Sequence, residues 1–220
     1  MQKKWTRLLL IGIVALSVAA CGNPDNNGQA PASAASESAE NSQPSSYEEL
    51  YRTSVFLGDS ITEGLSYHDV LNEDNVLADA GKTAEFALEN VEDLAGRKPE
   101  RVFIHLGSTD ILWPTDDPKE YSLTRYGQLI DRIEAELPKA KITLLSVTPV
   151  TADAEKKEPR YRNIGDYNEG LKALAAKAQV EYVDLTPLVT EHSDLYDTDG
   201  IHFQAAFYPL LLDYLKDQLE

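Results

Sequence analysis

The chain has 220 residues, with 37 acidic against 20 basic side chains and a formal charge of −17. Its first twenty residues carry three bases and no acid, so the rest sits near −20, which excludes nucleic acid and electrostatic docking on anionic lipid, both of which need a basic footprint. One cysteine is present, so no internal disulfide can form.

The chain opens with Lys3, Lys4 and Arg7, followed by the apolar run LLLIGIVALSVAA (8–20) and Cys21. A basic start, a short apolar run and small residues before a cut describe an export signal, residues 1–20. The run is too short for a comfortable membrane span, which takes about 20 apolar residues. VAAC (18–21) resembles the lipobox of bacterial lipoproteins, in which cleavage precedes a lipid-modified Cys, here Cys21. The alternative is a plain secretory signal with an unmodified thiol. Residues 22–46 hold almost no large apolar side chain, so they cannot bury enough surface to offset the entropy of ordering. Residues 21–46 therefore read as a lipidated Cys and a flexible tether, with a reach of roughly 25–30 Å. The expected location is extracytoplasmic, anchored to the bacterial cell membrane through Cys21.

Residues 47–220 have the length of one domain. Short β-branched apolar runs predict strands at 54–58, 75–79, 101–107, 141–147 and 180–185. Helical spacing predicts helices at 83–96, with Phe86, Val91 and Leu94 on one face and Gly96 as the stop, and at 126–137, ending at Pro138. Two more are predicted at 167–179 and 204–219, the last interrupted or delayed by Pro209. Nearly unbroken apolar strands alternating with helices imply an α/β fold with a parallel sheet of about five strands, covered on both faces.

Sites in such sheets gather at the carboxyl ends of the strands. After the first predicted strand come Asp59 and Ser60, after the second Gly81, and after the third Ser108-Thr109-Asp110. A late loop carries Asp199 and His202 just before the final helix. Ser60-Ile61-Thr62-Glu63 also fits a capping box, in which Ser60 would only cap a helix. The sharper reading is a nucleophile. Serine hydrolysis of an ester needs a base, a group that orients the base, and donors for the oxyanion. Asp199-x-x-His202 offers orienter and base on one turn, with Asp197 as a competing carboxylate that the spacing disfavours. Gly81 and Ser60 offer unhindered backbone N–H donors.

GDSITEG (58–64), a Gly after the second strand, GSTD (107–110) and DGIH (199–202) together resemble the four blocks of the GDSL/SGNH hydrolases, in order and over nearly the whole domain. The resemblance implies a flavodoxin-like three-layer α/β/α sandwich and a Ser-His-Asp esterase or acyl-transfer mechanism. By position it implies Ser60 as nucleophile, His202 as base, Asp199 as its orienter, and Ser60 and Gly81 as oxyanion donors. The family's third donor is an Asn side chain, and Thr109 stands in its place. Thr has one O–H on a shorter arm where Asn has two N–H, so Thr109 is expected to help Ser60 and Gly81 hold the oxyanion, directly or through a water. Losing an oxyanion donor typically costs about 10²–10³ in kcat.

Asp59 and Asp110 are expected to brace loops by accepting backbone N–H groups. His105 is expected to be buried and hydrogen-bonded, and His68 and His192 to lie on the surface. Trp113 is a candidate substrate contact, with a plain core-edge aromatic as the alternative. The charged stretch 151–163 reads as a solvated loop, or a lid. No His, Cys or carboxylate set has metal-ligand spacing and no phosphate loop occurs, so no metal and no cofactor are expected. The function expected is a membrane-tethered serine esterase acting on short acyl esters, including O-acetyl groups on carbohydrate. The alternatives are a binding lipoprotein for a glycan or acylated ligand, weakened by Thr109, and an acyltransferase.

Overall fold

The structure, a computed structural model, describes residues 46–219, so the export signal, Cys21 and nearly all of the tether lie outside the described residues. Five strands pair in parallel: β1 (Ser54–Gly58), β2 (Val76–Ala78), β3 (Arg101–His105), β4 (Lys141–Leu145) and β5 (Glu181–Val183). Their order is β2-β1-β3-β4-β5, the flavodoxin-like arrangement. The chain leaves β1 for one side of the sheet and returns to the other side through β3, so the switch point falls beyond Gly58 and His105, which are register partners.

Side chains alternate across this sheet, as the period of two requires. Val55, Leu57, Val102, Ile104, Ile142 and Leu144 point to one face. There they meet α3 (Ala84–Ala87), α4 (Val91–Arg97), α5 (Pro118–Glu136) and α7 (Ile164–Ala178). Phe56, Phe103 and Leu145 point to the other, against α2 (Ser60–Tyr67), α8 (Thr186–Glu191) and α9 (Phe207–Tyr214). Phe56 and Phe103 stack at 4.7 Å under Tyr51, which follows α1 (Ser46–Leu50) and donates its hydroxyl to the Leu212 carbonyl. The result is the three-layer α/β/α sandwich.

Several boundaries differ from the sequence reading, each for a local reason. β3 stops at His105 rather than 107, because Gly107 turns to φ +131° and packs against Val147 and Tyr167. The expected helix 83–96 is two helices joined by a 3₁₀ turn over Leu88–Asn90. Gly96 lies inside α4, and left-handed Lys98 (φ +53°) ends it. Phe86 does not share the buried face of Val91 and Leu94; it is 43% exposed. α5 begins eight residues before the expected start, because Asp117 caps the Glu120 N–H and Pro118 opens the helix while its first turns are polar. Within the stretch 151–163, Thr151 caps α6 (Ala152–Lys157), and a 3₁₀ turn over Pro159–Asn163 sinks Tyr161 into the core, so this is not a solvated loop.

Close approach of α2 to β1 depends on Gly58. A Cβ there would strike the Thr62 side chain and come within 2.6 Å of the His105 carbonyl. Gly58→Ala is therefore expected to lower the unfolding free energy by about 1–3 kcal/mol, the usual range for overpacking. Gly96, which has open space around it in a helix, is expected to gain about 0.4–1 kcal/mol on conversion to Ala. Urea unfolding of the two variants beside the parent checks both signs.

Candidate active site

Ser60 is the first residue of α2, at the carboxyl end of the second strand in spatial order. It is not the cap: Asp59 is, its Oδ1 accepting the Ile61 N–H at 3.0 Å. The capping-box alternative for Ser60 thus fails, because the carboxylate one residue earlier already holds that place. A helix leaves its first N–H groups without intrahelical partners, and with Ile61 satisfied the Ser60 N–H stays available. The Ser60 hydroxyl is hydrogen-bonded to His202 Nε2 at 2.8 Å. His202 Nδ1 meets Asp199 Oδ2 at 2.5 Å, while Asp199 Oδ1 accepts the backbone N–H groups of Ile201 (2.8 Å) and His202 (2.9 Å).

The turn that carries Asp199 and His202 is held by its neighbours. Asp197 N–H donates to the His202 carbonyl at 2.8 Å, and Tyr196 bridges Phe203 across the turn. Tyr196, Phe203 and Phe207 stack in succession, with centroids 4.8 and 3.8 Å apart, and anchor the turn in the core beneath α9. The Asp197 carboxylate accepts the Thr198 N–H and makes no bond to His202. Partial burial pushes the Asp199 carboxyl up, but the bonds from His202 and two backbone N–H groups outweigh it and hold it below its ordinary value. Asp199 therefore stays ionised, able to orient the ring so that Nε2 faces the serine.

Two buried carboxyls join the loops after β1, β2 and β3. Asp59 Oδ2 accepts the Ser108 hydroxyl at 2.5 Å, tying the Ser60 turn to the turn after β3. Asp110 Oδ1 accepts the Ala84 N–H (3.0 Å) and the Ser122 hydroxyl (2.6 Å), tying that turn to the Gly81 loop and to α5. The bond to a backbone N–H expected of each carboxylate is present in both. The serine partners, Ser108 and Ser122, escaped the sequence reading, although Ser108 sits inside the GSTD block. Gly81 occupies an exposed turn at φ +77° with nothing within 4 Å of where a Cβ would stand, and among the described residues its N–H has no acceptor. Thr109 lies half-buried where the 3₁₀ turn Asp110–Leu112 begins, and its side chain caps nothing. The strand order sets Gly81 and Thr109 on opposite sides of Ser60.

His105 is buried, with one side of its ring supported by the Ser146 backbone and Nδ1 without a partner; burial lowers its pKa to about 4, so it is neutral. His68 packs half-buried against Tyr67 and Tyr208, and His192 ends α8, also half-buried. Neither is fully on the surface. Trp113 meets exposed Phe86 edge to face at 5.5 Å, so α3 and the turn after β3 share an aromatic face. A groove of about 910 Å³ lies between α5 and α7, but it is lined by none of Ser60, His202 and Asp199, and it holds no nucleophile beside a base. Among the described residues no group of His, Cys, Asp or Glu is arranged to hold a metal.

A parallel α/β sandwich whose strand ends carry these blocks is the framework of an enzyme that hydrolyses esters. The family described as GDSL-like lipase/acylhydrolase matches residues 56–210, and the chain belongs to it. No curated protein matches the chain. Among solved structures, a GDSL-like lipase from Bacteroides thetaiotaomicron is similar at a TM-score of 0.63 and 22% identity, over 75% of this chain and 86% of that one. A lipase/acylhydrolase from Enterococcus faecalis is similar at 0.60 and 18%, over 76% and 96%. An acetylxylan esterase from Geobacillus stearothermophilus is similar at 0.54 and 20%, over 75% and 92%.

Burial pushes the Asp110 carboxyl up to about 6, against the bonds from Ser122 and Ala84 that favour its ionised form. The folded pKa thus exceeds the unfolded one, so the stability from neutral Asp110 is full below about pH 4 and is lost as pH rises through about 6. Asp110→Asn keeps an acceptor at Oδ1 and cannot ionise. Its melting temperature relative to the parent is expected to climb between pH 4 and pH 7, and a difference that stays flat over that window would contradict the assignment.

Proposed function

We propose that Ser60, His202 and Asp199 are the catalytic residues of a serine esterase that acts on short acyl esters. The observation that carries this reading is the unbroken hydrogen-bonded chain from the Ser60 hydroxyl through both His202 nitrogens to an ionised Asp199. Ser60 Oγ attacks the ester carbonyl while His202 Nε2 takes its proton. The carbonyl electron pair moves to oxygen, where the N–H groups of Ser60 and Gly81 meet it, with the Thr109 hydroxyl beside them. Collapse of the intermediate breaks the bond to the alcohol, which leaves with the proton from His202. Water, deprotonated by the same nitrogen, then releases the acid from the acyl-Ser60.

O-acetyl groups on carbohydrate are the substrate class that best fits three observations. One neighbouring structure is an acetylxylan esterase. The side chains of His202 and Asp199 are 40% and 45% exposed, which suits a bulky leaving group presented from outside rather than a long acyl chain that must be enclosed. Trp113 and Phe86 offer an aromatic face of the kind on which sugar rings stack. The lipobox-like VAAC and the residues after it support export and anchoring at the outer face of a bacterial membrane through Cys21.

Release of nitrophenol from a short-chain nitrophenyl ester by residues 47–220 tests the chemistry. Ser60→Ala is expected to fall to background and Asp199→Asn to lose about 10²–10⁴ in kcat. Thr109→Asn is expected to raise kcat by on the order of tenfold through a better-placed donor. A folded parent no faster than Ser60→Ala would instead favour a binding protein. For the anchor, the full chain expressed in bacteria should fractionate with membranes, and Cys21→Ser should shift it to the soluble fraction. Equal partitioning of the two would contradict lipidation.

A further inference from the structure

The segment 151–163 lies outside the sheet, yet it is fastened to both sides of the site. At one end the Thr151 N–H donates to the Gly200 carbonyl at 2.9 Å, and the Thr151 side chain fills the space a Cβ on Gly200 would need. This pins the turn that carries Asp199 and His202. At the other end Arg160 donates to the Leu112 carbonyl at 2.8 Å, on the turn that follows Thr109, and is itself held by Glu158 at 2.7 and 2.8 Å. Tyr161 directly follows the Arg160 fastening, 7% exposed, its ring in the same apolar cluster as Ile111 and Val147.

A tyrosine this deep ordinarily finds a partner for its hydroxyl. Among the described residues Tyr161 Oη has none, and it is not one of the polar atoms sealed from solvent. The ring is thus packed by the protein while its donor is left open. Burial pushes its pKa up, and so do the carboxylates of Glu158, Asp59 and Asp199, the last two adjoining Ser60 and His202. The phenol keeps its proton.

We propose that the Tyr161 hydroxyl donates to the substrate oxyanion, standing in for the side-chain amide that Thr109 cannot supply. The inference rests on the esterase reading above. As Ser60 Oγ bonds to the carbonyl carbon, the electron pair displaced onto oxygen receives the Tyr161 O–H as a hydrogen bond. No proton is transferred, and Tyr161 is unchanged when the carbonyl re-forms. A phenol O–H is a better donor to an anion than an aliphatic hydroxyl, and one held on a pinned segment needs no reorganisation at the moment of reaction. Thr109 and Tyr161 together then replace one Asn.

A double-mutant cycle between Tyr161→Phe and Thr109→Asn tests this on the nitrophenyl ester, with kcat, KM and melting temperature measured for all four proteins. Tyr161→Phe keeps the buried ring, so its melting temperature should match the parent's. Its kcat is expected to fall about 10²-fold with KM little changed, and in the Thr109→Asn background the loss should shrink below about tenfold, because the Asn then supplies the donor. An equal loss in both backgrounds, a change confined to KM, or no loss would overturn the role. Ser60→Ala separates the two readings. If the parent is no faster than that variant, the esterase reading falls and this one with it. If the parent is active and Tyr161→Phe is unaffected, only Tyr161 loses its role.

Discussion

Two carboxyls that lack ionic partners, Asp59 and Asp110, hold the strand ends in register with one another. Each takes one backbone N–H and one serine hydroxyl, and between them they join the turns after β1, β2 and β3 to α5. Burying a carboxyl costs free energy unless its hydrogen bonds are met, and both are pushed upward by burial. That cost is tolerable only while the partners stay in place. Any drift of the Gly81 loop or the Thr109 turn would strand a buried acceptor, so the arrangement resists the loosening that surface loops otherwise show.

The sheet order gives this lacing its purpose. With β1 between β2 and β3, the Ser60 turn is flanked by the Gly81 loop on one side and the Thr109 turn on the other. Asp199 and His202 arrive separately, on a turn anchored by the stacked rings of Tyr196, Phe203 and Phe207 on the face of the sheet that α2 and α9 share. The Ser60, Gly81 and Thr109 turns are thus held at the strand ends, and Asp199 and His202 by the packing under α9. The segment 151–163 is the tie between them, bonded to Gly200 beside Asp199 and to Leu112 on the turn after Thr109.

Thr109 stands where the resemblance to the family's blocks implies an Asn. An Asn side chain carries two amide N–H donors on a longer arm, whereas a threonine hydroxyl offers one donor on a shorter arm. Asp110 next to it remains fully engaged at Oδ1, and Gly107 still turns at positive φ against Tyr167.

What the sequence determined by itself was whatever depends on spacing within one turn or one strand. Apolar runs marked all five strands, and Asp199-x-x-His202 fixed carboxylate and imidazole on one turn because three residues is the reach of such a contact. The order of the four blocks pointed to the fold through a resemblance rather than through physics. What only the tertiary structure decided was every choice between neighbours that local rules leave equal. Asp59 rather than Ser60 caps α2, because the hydroxyl is drawn to His202, 142 residues away. Phe86 faces outward, because a 3₁₀ turn breaks the helix whose periodicity had placed it inward. Tyr161 is buried in a stretch whose charges read as solvated, because a single aromatic amid Lys, Glu and Arg has no period to detect. Short-range geometry is written in the spacing of residues; which distant side chains meet is set by the order of strands in the sheet, and that order has no local signature.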